Sequence, residues 1–571
     1  MKSHYRSIID LTERMVPGIL SEQDLDPDSR DFGGRVSADR GYSEPGSSAH
    51  AVALLASLVC CPESRWYRSD ELTARAAMYA DHLLRAQHRD GTLDLRETNF
   101  HDATMVGFSV QQLGYTWRLL ADRRDASEDL DRLRESVHTF LVRGAEGMLR
   151  GGFHTPNHRW VMASGLSLLS TILQRTDLAD EAGRYLREGI DCTEAGEYTE
   201  RSAGIYNVTN NRSLIIIAEE LSRPDLLDHV RRNLTMMMNY FEPDGSVFTL
   251  NSKRQDAGRT TFPVNYYENY LLMAHRDQSE IWAGAADSLL ELATERRVAA
   301  GEVGSVLAHY ILRSELRETE LETAALPSTY TFENIDSGIV RLRNGTVSLS
   351  LLSDHTVFLQ FRTGALAVAA KIAGTFYGEK GRFVPASIRR TKDGYLLESS
   401  VRWGYTRPLA DPVATAEESA TTDWQRLPHA EREHVMMSDF NVTVRVHFTG
   451  RAAELDIAMD GTDGVLVKLE LLLSPGGWLD TNTLRLAGSP GHSAVLKDGS
   501  ATYRLGPDTV TIAGGFAEHN LTTAMRGSEP PEAGVFTLFC TGYTPLAQTV
   551  VLSGGGPAIR DASSLPARRA P

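Results

Sequence analysis

At 571 residues the chain is longer than one hydrophobic core sustains, because single cores stop growing at roughly 250–300 residues; two or more domains are expected. An apolar content of 42% is that of a folded globular protein, and a formal net charge of -16 with no long basic run excludes broad nucleic-acid binding. Charges interrupt the window MKSHYRSIIDLTERMVPGIL where a secretory signal needs an apolar stretch, and no long apolar run follows, so a cytoplasmic protein without membrane spans is expected. Up to about residue 320, segments such as AVALLASLVCC, DATMVGFSVQQLGYTWRLLA, RWVMASGLSLLSTIL and DLLDHVRRNLTMMMNYF repeat apolar residues every three or four positions. About ten to twelve helices are predicted, and their short connections make neighbours antiparallel. That many in series suggest helical hairpins wound into a toroid or incomplete barrel, (α/α)n.

Near ELRETELETAALPSTYTFEN the period changes. GIVRLRNGTVSLSLLS, VFLQFRTG, VTVRVHFTG, AELDIAMDG, VLVKLELLLSP and VFTLFCTGY read as strands, many of them separated by Gly, Asn or Asp. The predicted fold class is therefore multidomain α and β: a helical catalytic domain over 1–320, an antiparallel β-sandwich over 321–555, and a flexible tail over 556–571. The cysteines Cys60, Cys61, Cys192 and Cys540 form neither a CxxC pair nor zinc spacing, and are expected as buried thiols.

Four polar segments stand at breaks in the helical half. In HTPNHRWV, Thr155 is a predicted N-cap and Pro156 a first helical residue, which places Asn157 and His158 in the first turn. That positive end favours an anion and disfavours a protonated histidine. Either the pair solvates a helix end, or Asn157 donates to a substrate carboxylate while a neutral His158 serves as a base. GEYTERSAGIYNVTNNRSL gathers Glu200, Arg201, Tyr206, Asn207, Asn210 and Asn211 before an apolar run. DGTLDLRETNFHDATMV supplies Asn99, His101 and Asp102, and EPDGSVFTLNSKRQDAGR supplies Lys253, Arg254 and Arg259. Each segment alone is compatible with an ordinary solvated turn. In a toroid, however, the breaks before successive inner helices gather at one end, so these Asn, His, Tyr and Arg side chains would converge on one cleft. Many donors with few paired carboxylates suit proton removal alpha to a carboxylate. The matching chemistry is β-elimination at a uronic acid: the carboxylate is neutralised, a base takes the C5 proton, and an acid protonates the departing oxygen.

This arrangement resembles the heparinase II/III-like and related polysaccharide lyases. PNHRW is similar to the Asn-His motif with which toroidal alginate and glycosaminoglycan lyases neutralise substrate, and ERSAGIY to the segment that carries their catalytic tyrosine. The resemblance implies Asn157 and His158 as neutralisers, with His158 a candidate base, and Tyr206 as acid or as acid and base together. Arg201 and Arg254 would bind the anion, beside Asn99, His101 and Asn207. The implied partner is an anionic polysaccharide or oligosaccharide, left with a 4,5-unsaturated uronate end. No cofactor is called for. Related β-domains can bind a structural divalent metal or contribute a histidine, for which His355 in SDHTVFLQF is the candidate, although no His/Asp/Cys cluster declares a metal. Lys371, Tyr377, Lys380 and Arg382 read either as cleft residues or as ordinary strand and turn residues. Two rivals remain: an α/α-barrel glycoside hydrolase drawing on Asp94, Asp102, Glu197 and Glu200, and a glycan-binding protein without catalysis, against which seven tryptophans argue.

Overall fold

The computed structural model describes residues 2–123, 127–296, 303–410, 424–522, 525–530 and 532–555. The chain forms two compact units: Met1–Phe241 with Gly245–Pro327, and Glu242–Asp244 with Ser328–Pro571. The change of unit falls after Pro327, a few residues beyond the expected position. The expected tail, 556–571, lies outside the described residues.

Among the described residues the first unit holds thirteen α-helices: α1 (Lys2–Ser21), α2 (Pro45–Cys60), α3 (Asp70–Ala86), α4 (Ala103–Asp122), α5 (Glu128–Leu149), α6 (Pro156–Leu173), α7 (Thr176–Leu186), α8 (Tyr206–Glu220), α9 (Leu227–Met238), α10 (Tyr267–Asp277), α11 (Glu280–Arg296), α12 (Leu307–Leu312) and α13 (Glu315–Glu318). Their burial sorts them into two kinds. In α6 every residue from Trp160 to Ser170 is buried, and α2 is buried from Pro45 to Cys60 except at Gly46, Ser47 and His50. Helix α7 buries only Leu178, Ala182 and Tyr185, a single stripe at helical spacing. The fully buried helices pack on one another in the succession α2, α4, α6, α8, α10, and each carries the following amphipathic helix, α3, α5, α7, α9 or α11, against it.

Close approach between α4 and α6 depends on two glycines seven residues apart. A Cβ on Gly107 would stand 3.0 Å from Val161 Cγ1, and one on Gly114 would stand 2.3 Å from Leu168 Cδ2. A hairpin that the helical pattern does not announce, β1 (Leu93–Leu95) with β2 (Asn99–Asp102), leads directly into α4. Helices α4, α6 and α8 thus begin after a loop or turn that carries polar side chains.

The second unit contains β3 (Thr329–Asn334), β4 (Ile339–Asn344), β5 (Val347–Leu352), β6 (Leu359–Thr363), β7 (Leu366–Gly374), β8 (Ile388–Arg390), β9 (Tyr395–Thr406), β10 (His434–Phe448), β11 (Ala452–Gly461), β12 (Leu466–Leu473), β13 (Gly477–Asp480), β14 (Arg485–Gly488), β15 (Ser493–Val495), β16 (Ser500–Leu505), β17 (Asp508–Ala513), β18 (Phe536–Tyr543) and β19 (Leu546–Gly555). One sheet runs β14-β13-β16-β17-β19-β11-β10-β9-β8 and the other β15-β18-β12-β7-β6-β5-β4-β3; every pair is antiparallel except β15 with β18. The period-two pattern explains the core. Ala453, Leu455, Ile457 and Met459 of β11 enter the same apolar cluster as Leu349 and Leu351 of β5, while Glu454 and Asp456 point away. Strand β5 is buried on both faces because Ser348 and Ser350 meet a buried ion pair: Ser348 donates to Glu242 at 2.8 Å, and Arg341 donates to Glu242 at 2.9 Å and to Ser350 at 2.7 Å.

Cys60, Cys61 and Cys540 are buried and Cys192 half-buried, all as free thiols. No helix among the described residues is long and apolar enough to cross a membrane. Because Glu242 and Arg341 are fully buried, Glu242→Ala leaves the guanidinium without its counter-charge. Chemical denaturation should show a loss of about 3–5 kcal/mol; a loss below about 1 kcal/mol, the level of an exposed pair, would refute this account.

Candidate active site

Helix α6 opens as its sequence predicts, with Thr155 at the N-cap and Pro156 in the first turn, but the Thr155 hydroxyl makes no capping bond and is buried without a partner. The cap comes from elsewhere in the chain. Asn157, completely buried, donates its side-chain NH2 to both oxygens of Glu200 at 3.0 and 2.9 Å, and its backbone N–H faces the same carboxyl. Glu200 is itself 4% exposed. The anion that a helix N-terminus attracts is therefore a side chain of this protein.

Glu200 also holds Arg254, whose Nε lies 3.3 Å from Oε1 as an ion pair. The backbone of the next segment is tied in too, since Lys253 N donates to Glu200 O at 3.1 Å. The Arg254 guanidinium stands over the Tyr206 ring, 5.0 Å from its centre, and the Tyr206 hydroxyl donates to Gln255 Oε1 at 3.2 Å. Burial pushes the Glu200 carboxyl above its ordinary range, against the opposing pull of Asn157 and Arg254.

His158 lies on the other side of the Asn157 turn, half-buried between the ring edges of Phe108 and Phe153, both at 5.9 Å. Its Nδ1 is buried without a partner. Its pKa is lowered, by burial first and by Arg254 as well, with Asp102 opposing. The imidazole is held neutral mainly by its surroundings, where the sequence argument had relied on the helix end.

The structure thus brings Asn157, Arg254 and, through Arg254, Tyr206 together around Glu200, with His158 next to Asn157 in the chain and within reach of the Arg254 charge. The other expected residues are placed differently. Asn99 donates to Asp102 at 2.9 Å, and Asp102 caps α4 by accepting from Thr104 N at 2.8 Å, so Asn99 supports the helix start. His101, more than half exposed, pairs with Asp90 at 2.7 Å and stacks on His88 at 3.9 Å. Arg201, with a left-handed backbone (φ 51°), and Asn207 serve a second buried carboxyl, Glu197. Asn207 is completely buried, near enough to favour the Glu197 charge but without a well-aligned hydrogen bond. Glu197 accepts from Tyr240 at 2.8 Å and from Asn251 at 3.4 Å. Burial raises it to about 7.

The sequence reading weighed Glu200 as a hydrolytic carboxylate and missed its part as the common anchor. The available signal was one acid set among neutral donors in TERSAGIYNVTNN, where acceptors are scarce. In the second unit, Lys371 is paired with Glu529 at 2.7 Å and Glu532 at 2.6 Å, and Lys380 sits over Trp403 at 4.2 Å. Tyr377 packs edge-on to Tyr405, and Arg382 pairs with Glu379. His355 Nδ1 accepts from Val357 N at 3.0 Å. Among the described residues no three His, Cys, Asp or Glu side chains gather as a metal-binding group.

No protein-family model matches the sequence, and no curated protein matches it. Solved structures do. A Paenibacillus xanthan lyase is similar over 98% of this chain with a TM-score of 0.54 and 8% identity. This chain spans 57% of that lyase's length. A Streptomyces coelicolor chondroitin AC lyase, solved with chondroitin sulphate, matches over 97% of this chain and 80% of its own at a TM-score of 0.49 and 12% identity. A heparan sulfate lyase of Pedobacter heparinus matches over 90% and 77% at a TM-score of 0.47 and 12% identity. The chain shares the fold of the xanthan lyase. At these identities the likeness is one of fold.

Glu197 allows a direct test of the site's electrostatics. Its folded pKa of about 7 lies above the ordinary 4.5, so the folded state binds the proton more tightly and ionisation opposes folding. Wild type should lose stability on the order of 3 kcal/mol relative to Glu197→Gln as pH rises from about 4.5 to about 7, with no further change above. Thermal melts across pH check this, and parallel curves for the two proteins would contradict it.

Proposed function

We propose that the protein is a polysaccharide lyase that cleaves a uronic-acid-containing polysaccharide or oligosaccharide by β-elimination. In this reading the helical unit is an incomplete toroid of hairpins, the second unit is a β-sandwich, and the cluster around Glu200 is the catalytic centre. The observation that carries the reading is the Asn157–Glu200–Arg254–Tyr206 chain, with a neutral His158 beside it. It offers a cation, a neutral imidazole and a phenol within one polar cluster. Those are the groups that elimination next to a carboxylate requires.

Arg254 meets the uronate carboxylate and stabilises the negative charge that develops on it when the C5 proton leaves. Either His158 accepts that proton, or Tyr206 as a phenolate accepts it while His158 adds a polar contact. Tyr206 delivers a proton to the glycosidic oxygen as the C4–O bond breaks, and the former C5–H electrons become the C4–C5 double bond. Asn157 is fully buried with its NH2 on Glu200, so it acts as a positioning residue that holds Glu200 and, through it, Arg254.

The hydrolase alternative needs two carboxyls flanking one bond. Each of the four available is engaged: Asp94 with His88 and the His101 N–H, Asp102 with Thr104 and Asn99, Glu197 with Tyr240, and Glu200 with Asn157 and Arg254.

The reading is tested by incubating the full chain with uronate polymers and following the ultraviolet absorbance of the unsaturated product. Tyr206→Phe should lower kcat by roughly 10²- to 10⁴-fold while leaving glycan affinity near its parent value. Cleavage without that absorbance would show hydrolysis, and no cleavage of any uronate polymer would favour a binding protein. A second measurement addresses His158. Because its pKa lies below 6.5, the acidic limb of kcat/KM should fall below that pH and disappear in His158→Gln; a limb above 6.5, or one retained in the variant, would remove His158 from the reaction.

A further inference from the structure

The helical unit also encloses a cavity of about 440 Å³, within the size range of small-molecule pockets. Its wall is drawn from α2, α4, α8, α12 and the turn before α10, and none of Asn157, His158, Glu200, Tyr206 or Arg254 belongs to it. Four buried polar atoms on this wall lack a hydrogen-bond partner: Gln112 Oε1, the Tyr115 hydroxyl, His309 Nδ1 and Asn265 Oδ1. Tyr115 and His309 are only 4% and 5% exposed. Unpaired groups at that depth are uncommon and costly, and they mark where a ligand's polar atoms belong.

The charges in the wall are already matched. Glu268 takes Arg212 at 2.8 Å and His309 Nε2 at 3.1 Å, and Arg35 pairs with Glu22 at 2.5 Å. His50 is kept neutral, since burial, together with Arg35 and Arg212, lowers it to about 4. A carboxylate or sulfate entering here would compete with Glu268 for Arg212. A neutral molecule meets no such opposition. Asn265 Oδ1 and Gln112 Oε1 are acceptors, and His309 Nδ1 adds a further polar atom. The Tyr115 hydroxyl serves in either sense. Between these stand Ala53, Val208 and Ala308, which offer an apolar surface to C–H groups. Acceptors spaced around a small apolar surface match a ligand rich in hydroxyls.

We propose that this cavity binds a neutral pyranose sugar of one or two rings. The site shares α8 with the catalytic cluster but not its residues, and it does not rest on the elimination chemistry.

Titration calorimetry of the full chain with D-glucose, D-galactose, D-mannose and cellobiose, with D-glucuronate as the charged comparison, tests the proposal. At least one neutral sugar should bind with millimolar or tighter affinity, and more tightly than glucuronate. Tyr115→Phe removes one unpartnered hydroxyl without altering packing, and it should weaken that binding about five- to tenfold. Thr209→Phe, which projects bulk from the α8 wall, should abolish it. The proposal is overturned if no neutral sugar binds, which would mean that the four atoms are simply hydrated. Tighter binding of glucuronate, or binding that neither substitution changes, would overturn it equally. Tyr206→Phe should retain the sugar affinity whatever it does to turnover, so a failed cavity and a failed lyase reading give different results.

Discussion

One buried carboxyl organises the polar end of the helical unit. Glu200 closes the start of α6, which the Thr155 hydroxyl leaves uncapped, and it holds Arg254 from a segment about fifty residues further on. A charge-assisted hydrogen-bond pair from Asn157 and an ion pair with Arg254 tie the first turn of α6 to two loop segments through this one group. Arg254 then sits over Tyr206, at the first residue of α8. Withdrawing Glu200 would leave Asn157 buried with unsatisfied donors and Arg254 without its anchor, so the position of every member depends on that group.

This constraint changes the part that the helix end plays in the proposed reaction. A free N-terminus would offer its N–H groups to a substrate carboxylate. In this protein that place is taken, and the charge available to an incoming uronate is the partly exposed guanidinium of Arg254. The helix dipole contributes indirectly, by steadying Glu200. Burial works in the opposite direction and raises the Glu200 carboxyl, so the anchor is held by a balance of desolvation against the Asn157 hydrogen bonds and the Arg254 charge.

Much of the architecture was legible in the sequence because periodicity reports burial. The buried run of α6 and the alternation of β11 both follow from local pattern, whereas GIVRLRNGTVSLSLLS, read as one strand, forms two, β4 and β5, with a turn after Asn344. The hairpin β1–β2 was not legible, since its strands are three and four residues long and lie inside a stretch that reads as a turn. Asn157, His158, Tyr206 and Arg254 were found by their position at helix breaks. Asn99 and His101 shared that position yet serve a cap and a surface histidine pair, a distinction that depends on partners no local pattern encodes. Glu200 was harder still, because its meaning lies in contacts with Asn157 and Arg254, 43 residues before it and on a separate loop after it. The uneven burial of β5 was hidden for the same reason: its serine face meets Glu242, more than a hundred residues away.

The surroundings of His158 and Tyr206 also bear on which of them moves the proton in the proposed reaction. A base must hold the proton it takes, at least until the leaving group departs. Around His158 the aromatic edges, the burial and Arg254 all disfavour an imidazolium, and Asp102 offsets them only in part. Such a ring accepts a hydrogen bond readily and keeps a full positive charge poorly. Tyr206 is half-buried at the mouth of α8, with its hydroxyl on an uncharged amide and its ring beneath a cation. In the proposed reaction this leaves His158 the task of orienting the sugar as a neutral acceptor or donor, with Tyr206 as the group that takes and returns the proton.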